Sequence, residues 1–242
     1  MANYLLIHGA MRGAWLWDRL MTRLLRGGAN PIAVDLPGHG DRSDDRKGLT
    51  MTSYIEDVAQ FIRRENLYDL VLVGHSMSGF VISKLAEDIP ERIRHLVYLA
   101  AVVPYDSVAL IDLLPKERQD ALRFLRGKTK EVFGTIEALR PMYFTDLEGA
   151  EQESYLRQLT PEPLEVFFEK IRFKIFPKVT IPRTYIQGLR DKSLPPDMTT
   201  PFAERLGVVP HKVDAGHDMM TSRPAEVAEI MLGVLDPQNG DR

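Results

Sequence analysis

Leu70-Val71-Leu72-Val73-Gly74-His75-Ser76-Met77-Ser78-Gly79 is the stretch on which the reading of this chain turns. Four apolar residues run without a polar break into a glycine, the pattern of a strand buried on both faces. Beyond Gly79, the residues Val81, Ile82, Leu85, Ala86 and Ile89 share one face of a helix. A Gly-x-Ser-x-Ser-Gly string between strand and helix has the build of a nucleophile elbow, a strained turn that lifts the Ser76 hydroxyl above the carboxyl end of the strand. Such a turn needs small residues two places before and after the serine. Gly74 supplies the first; Ser78 stands where the usual pattern has a second glycine, and Gly79 follows it. The helix N-terminus behind the serine favours negative charge that develops there.

Outward from the elbow the same alternation continues. Apolar runs at 4–7, 31–34, 70–73, 96–101, 183–186 and 209–213 read as strands, with amphipathic helical patterns between them. Ile55, Val58, Ala59 and Ile62 mark one such helix, with Ser53 and Glu56 as its expected capping box. Val227, Ile230, Met231, Val234 and Leu235 mark the last, opened by Ser222-Arg223-Pro224. Strand and helix in alternation imply a mostly parallel central sheet of about six strands flanked by helices. From 106 to 178 the alternation stops. Helix formers broken by Pro115, Pro141, Pro161 and Pro163 replace it, with aromatics such as Phe133, Tyr143, Phe144 and Phe167. The expected organisation is a core of 1–105 and 179–242, with 106–178 as a helical lid inserted before the fifth strand. Residues 236–242 are expected to fray.

Composition narrows the function. At 242 residues, 44% hydrophobic and 27% charged, the chain has the make-up of a folded globule of one to two domains. With 31 basic against 34 acidic residues, nucleic acid is not the expected partner. The absence of cysteine removes thiolate metal sites, disulfides and cysteine nucleophiles. His8, His39, His75 and His95 have no metal-ligand spacing, so neither metal nor cofactor is expected. The N-terminus lacks a basic targeting region and no apolar run approaches a membrane span, which predicts a cytoplasmic protein. No heptad or extended edge strand speaks to oligomeric state.

A serine hydroxyl needs a base to take its proton and a third group to orient that base. His217, in Asp214-Ala215-Gly216-His217-Asp218, follows the last strand, and Asp191, in Gly188-Leu189-Arg190-Asp191-Lys192, follows the strand before it. Both lie past carboxyl strand ends, where open α/β sheets build sites. Asp106, after the 96–101 strand, is the rival acid. His39, in Leu36-Pro37-Gly38-His39-Gly40, reads as turn chemistry. Stabilising an oxyanion takes two N–H donors. The Met77 amide is one, and the Ala10 amide, in the loop opened by His8-Gly9, is the other. Met11, His75, Met142, Tyr143, Phe144 and Met219 are expected to line a pliable apolar substrate pocket.

With these residues the chain resembles the α/β-hydrolases, and among them the branch of plant methyl esterases, related hydroxynitrile lyases and bacterial esterases. His8-Gly9-Ala10 with Gly13-Ala14-Trp15-x-Trp17, the elbow Gly74-His75-Ser76-Met77, Asp191-Lys192-Ser193-Leu194-Pro195 and Gly216-His217 carry the resemblance over nearly the whole chain. It implies a sheet beginning at what the full fold counts as its third strand, and 106–178 as the cap. It further implies a serine carboxylic-ester hydrolase for small to medium, largely apolar esters: methyl esters, aromatic esters or lactones. A hydroxynitrile lyase is the second expectation and a non-catalytic receptor on the same scaffold the third. The (S)-selective lyases carry a hydroxyl residue where this chain has Ala10. They also place a lysine after the histidine, where Asp218 stands and would repel cyanide.

Overall fold

The computed structural model describes residues 1–174 and 176–235. Six strands form one sheet: β1 (Asn3–Ile7), β2 (Asn30–Val34), β3 (Leu70–His75), β4 (Ile93–Leu99), β5 (Arg183–Gly188) and β6 (His211–Val213). Their order is β2-β1-β3-β4-β5-β6, and every neighbouring pair is parallel. The chain steps outward from β1 to β2, then crosses back to lay β3 on the other side of β1. That reversal opens a crevice beyond the carboxyl ends of β1 and β3.

Alternate side chains of the strands enter two separate cores. Leu5, Ile7, Leu70, Leu72, Leu96 and Tyr98 pack against helices α2 (Met51–Arg64), α3 (Gly79–Asp88) and, further along the chain, α5 (Pro196–Leu206). Tyr4, Leu6, Val71, Val73, Val97 and Leu99 face α1 (Asp18–Arg26) and the last helix, α6 (Pro224–Gly233). Burial on both faces explains why the strands lack polar alternation.

Several boundaries differ from those expected. The cap of α2 is Thr50 with Ser53, not Ser53 with Glu56: Met51 is wholly buried, so the apolar face begins a turn earlier and the helix with it. The fourth strand ends at Leu99, because Ala100 turns to a φ of 44°. The sixth is only three residues long, and Val209, placed in it by its apolar character, is exposed. The expected fraying at 236–242 lies outside the described residues.

Between β4 and β5 the segment 106–178 carries α4 (Lys116–Leu125) and shorter helices at Ile136–Leu139, Gly149–Leu156 and Glu165–Phe168. It also holds two antiparallel pairs of two-residue strands, which its composition did not announce. Among the described residues no helix is long and apolar enough to cross a membrane.

Candidate active site

Ser76 sits at the end of β3 with a φ of 55°, a left-handed conformation that a side-chain-bearing residue adopts only where its surroundings impose it. The constraint is visible on three sides. A Cβ on Gly74 would lie 2.6 Å from the Ser78 carbonyl oxygen, and one on Gly79 would overlap the Val102 carbonyl oxygen. A Cβ on Gly9, in the loop after β1, would lie 2.7 Å from that of Ser76. The residue two places after the serine therefore need not be glycine; the next one must. Ser78 is wholly buried, and its hydroxyl donates to the His8 carbonyl, tying the elbow to the end of β1. Within 70–83 only Ser76 is not fully buried.

The loops after β5 and β6 bring two further side chains to it. His217 Nε2 lies 2.9 Å from Ser76 Oγ, and His217 Nδ1 lies 2.7 Å from Asp191 Oδ2. The other Asp191 oxygen accepts the amides of Ser193 at 2.7 Å and Leu194 at 2.8 Å. A carboxylate so held presents Oδ2 to the imidazole, which fixes Nδ1 as the protonated nitrogen and leaves Nε2 to accept from Ser76. Asp106 is exposed and instead accepts from the Phe173 amide and the Ser107 hydroxyl. Among the described residues no cluster of His, Cys, Asp and Glu could hold a metal ion.

Two buried networks that the sequence did not announce hold these loops. Arg12 and Asp218 are each about 1% exposed in their side chains and form a two-pronged ion pair, Nε–Oδ1 2.7 Å and Nη2–Oδ2 3.1 Å. Asp218 also accepts the Phe144 amide at 3.0 Å. Burial alone would raise the Asp218 carboxyl, but Arg12, with His217, outweighs it and holds it below the ordinary carboxylate value. The guanidinium lies 4.3 Å from the centre of the Tyr143 ring. The charge of Asp218 is thus compensated by Arg12, and repulsion of an anion by it does not apply; what remains against a lyase is the missing lysine and the Ala10 that stands in place of a hydroxyl residue.

The second network reaches Met11. Its amide donates to Glu162 Oε2 at 2.7 Å and its carbonyl accepts from the Thr160 amide at 2.9 Å. Glu162 is wholly buried, receives the Tyr54 hydroxyl at 2.9 Å, and lies 3.2 Å from His39 Nε2. His39, read as turn chemistry, does turn the chain, its amide donating to Leu36, but its ring also belongs to this network. Because the Ala10 carbonyl accepts from Arg12 at 2.8 Å, both ends of the Ala10–Met11 peptide are fixed. The Ala10 amide itself meets no acceptor among the described residues.

A cavity of about 350 Å³ opens over Ser76, between the sheet and segment 106–178. Met11, Met142 and Tyr143 line it, together with Ala10, Met77, Leu110, Leu114, Phe133 and Phe167. His75, Phe144 and Met219 are corrections: all three are buried and none lines the cavity. The His75 ring lies behind His217, 4.7 Å between ring centres, and its Nε2–H donates to the His217 carbonyl. Burial, with His217 and Arg12 beside it, pushes its pKa well below the ordinary value and keeps it neutral. Phe144 stacks on Tyr155, and Met219 joins the core beneath α1 and α6.

Comparison with known proteins gives the same frame. The carbendazim hydrolyzing esterase of Nocardioides sp. (strain SG-4G) is 39% identical over 117 residues, an alignment spanning 48% of each chain. A putative chloroplastic methylesterase 14 of Arabidopsis thaliana is 27% identical over 96% of this chain and 71% of its own. Among solved structures, an extracellular alpha/beta-hydrolase from a Paenibacillus species, described as sharing structural and functional homology with tobacco salicylic acid binding protein 2, superposes with a TM-score of 0.88. It is 26% identical, over 96% of this chain and 98% of that one. Residues 4–230 match the sequence model of one family, and with the sheet order and the elbow that match settles the assignment: the chain belongs to the alpha/beta hydrolase family.

Proposed function

We propose that the protein hydrolyses carboxylic esters through a serine-bound acyl intermediate. The observation that carries this reading is the hydrogen-bonded run Ser76–His217–Asp191 at the floor of an apolar cavity. The esterases and methylesterases among its relatives support the class of reaction.

The ester carbonyl lies against the amides of Ala10 and Met77, two residues that line the cavity. Ser76 Oγ attacks the carbonyl carbon as His217 Nε2 takes its proton. The two amides bear the oxyanion, and Asp191 stabilises the imidazolium. Collapse breaks the bond to the leaving oxygen, which receives the proton from Nε2 and departs as the alcohol. Water, deprotonated by the same nitrogen, attacks the acyl-enzyme and releases the carboxylic acid and free Ser76. A cavity of about 350 Å³ suits a small to medium substrate. Segment 106–178 acts as its cap, excluding water from the apolar side of the ester.

The test is a stopped-flow assay with p-nitrophenyl acetate and butyrate, wild type beside Ser76→Ala. One nitrophenol per site should appear as a burst in the wild type and be absent from the variant. No turnover by folded wild-type protein would overturn the reading and favour the cyanohydrin lyase or a ligand receptor.

A further inference from the structure

Two arginines line the cavity, and their situations differ. Arg12 is neutralised by Asp218. Arg118, on α4, has no such partner: among the described residues it makes no ion pair. Its Nη1 donates to Ser193 Oγ at 3.0 Å and, weakly, to the Ser193 carbonyl at 3.4 Å; its Nη2 donates to the Tyr143 hydroxyl. A guanidinium has five N–H donors in a planar fork, so three bonds leave two donors in hand. Ser76, Arg12, Tyr143 and Arg118 apart, the lining is hydrocarbon, thioether and glycine backbone.

An uncompensated cation facing an apolar cavity loses hydration as the cavity fills, and a neutral occupant returns nothing for that loss. A carboxylate on the occupant returns a two-pronged, charge-assisted bond. The geometry also sets the reach. Tyr143 stands between Arg118 and the proposed base, its ring centre 6.2 Å from that of His217 and its hydroxyl bonded to Arg118. Ser193, the other anchor of Arg118, donates its amide to Asp191. The guanidinium is thus held one side chain away from the reacting centre, not on it. The oxyanion that develops at Ser76 is left to the Ala10 and Met77 amides.

We infer that Arg118 is a specificity-determining residue, and that the substrate is an ester bearing a carboxylate set several bonds from the scissile carbonyl. This rests on the ester-hydrolase reading above.

The test compares acidic esters with neutral partners of matched length: monomethyl adipate with methyl hexanoate, and 5-acetoxypentanoate with pentyl acetate, so that the acid lies on either side of the ester. Wild type, Arg118→Met and Arg118→Lys are assayed by pH-stat. Calorimetry on Ser76→Ala, with and without Arg118→Met, reads binding of the same four compounds. In wild type the acidic member of at least one pair is preferred in kcat/KM. In Arg118→Met that preference falls roughly tenfold or more, chiefly through KM, as expected for loss of a hydrogen bond between charged groups. Arg118→Lys, which keeps the charge without the fork, falls between. Equal treatment of acidic and neutral esters by wild type overturns the inference. So does an equal loss for both in Arg118→Met, which would make Arg118 only a strut between Tyr143 and Ser193. If no ester is turned over, the hydrolase reading fails, and calorimetry still decides whether Arg118 selects the carboxylate.

Discussion

Replacing Asp218 by Asn keeps the shape of the side chain and removes its charge, so it isolates what the buried ion pair with Arg12 contributes. In the native protein one carboxylate takes three N–H groups: Arg12 Nε, Arg12 Nη2 and the Phe144 amide. An asparagine offers a single oxygen, and Arg12, about 1% exposed, cannot swing to water without dislodging the Tyr143 ring beneath it. Stranding one member of such a pair costs about 3–5 kcal/mol, a large share of the ~5–15 kcal/mol by which domains are stable. For a protein of this length it corresponds to a fall in Tm of roughly 6–20 °C. Guanidinium titration followed by circular dichroism reads the first quantity and calorimetry the second. The double variant Arg12→Met with Asp218→Asn removes the stranded cation, so it should be more stable than Asp218→Asn alone by roughly 2 kcal/mol. An Asp218→Asn cost below about 1 kcal/mol, the worth of a solvated surface pair, would refute the reasoning. So would a double variant that simply adds the two single losses.

Other outcomes follow from the same geometry. Asp191→Asn should lower kcat by roughly 10³–10⁴-fold by releasing the imidazole tautomer, while Asp106→Asn stays near wild type; steady-state kinetics on both variants decides, and the reverse ranking would move the acid to the β4 loop. Gly79→Ala drives a methyl into the Val102 carbonyl, and should cost at least about 1–3 kcal/mol in chemical denaturation together with most of the activity. His8, His75 and His95 are buried, and burial lowers each pKa, in His95 to about 4 from an ordinary 6.5. The folded protein therefore binds fewer protons than the unfolded chain just below pH 6.5, and stability falls with acid through that window. The His95 share of the loss ends near pH 4, so His95→Gln should flatten the acid limb of a stability-versus-pH curve.

The parts of the site that were legible are those written locally. An apolar strand, a small-residue turn and an amphipathic helix announce the elbow within twenty residues of Ser76. Asp191 and His217 stand directly after strands and so fall at the carboxyl edge once those strands lie parallel. The pocket was only half legible, because chemistry alone does not say which way an apolar side chain points. Met142 and Tyr143 face the cavity, but Phe144, with a φ of 53°, turns away to stack on Tyr155. The buried charges were illegible for a different reason. Arg12 and Asp218 are 206 residues apart, Met11 and Glu162 are 151 apart, and no periodicity relates them. One trace existed for Glu162: it is a carboxylate held between two prolines, Pro161 and Pro163.

The grip of Thr160 and Glu162 on Met11 bears on how the proposed activity of this protein could be altered. Segment 106–178 has the look of an exchangeable module, a block to be transplanted between relatives to change what enters the cavity. Yet its far end supplies the clamp that orients the peptide following the Ala10 amide, with Tyr54 and His39 of the core holding the clamp in turn. Grafts cut at 106 and 178 would replace selectivity and rate enhancement together. Cuts confined to 110–125 would carry Leu114 and Arg118 into a new host and leave behind both the clamp and the 131–132 strand that pairs with Glu162, so recombination there varies what the cavity accepts without disturbing the grip on Met11.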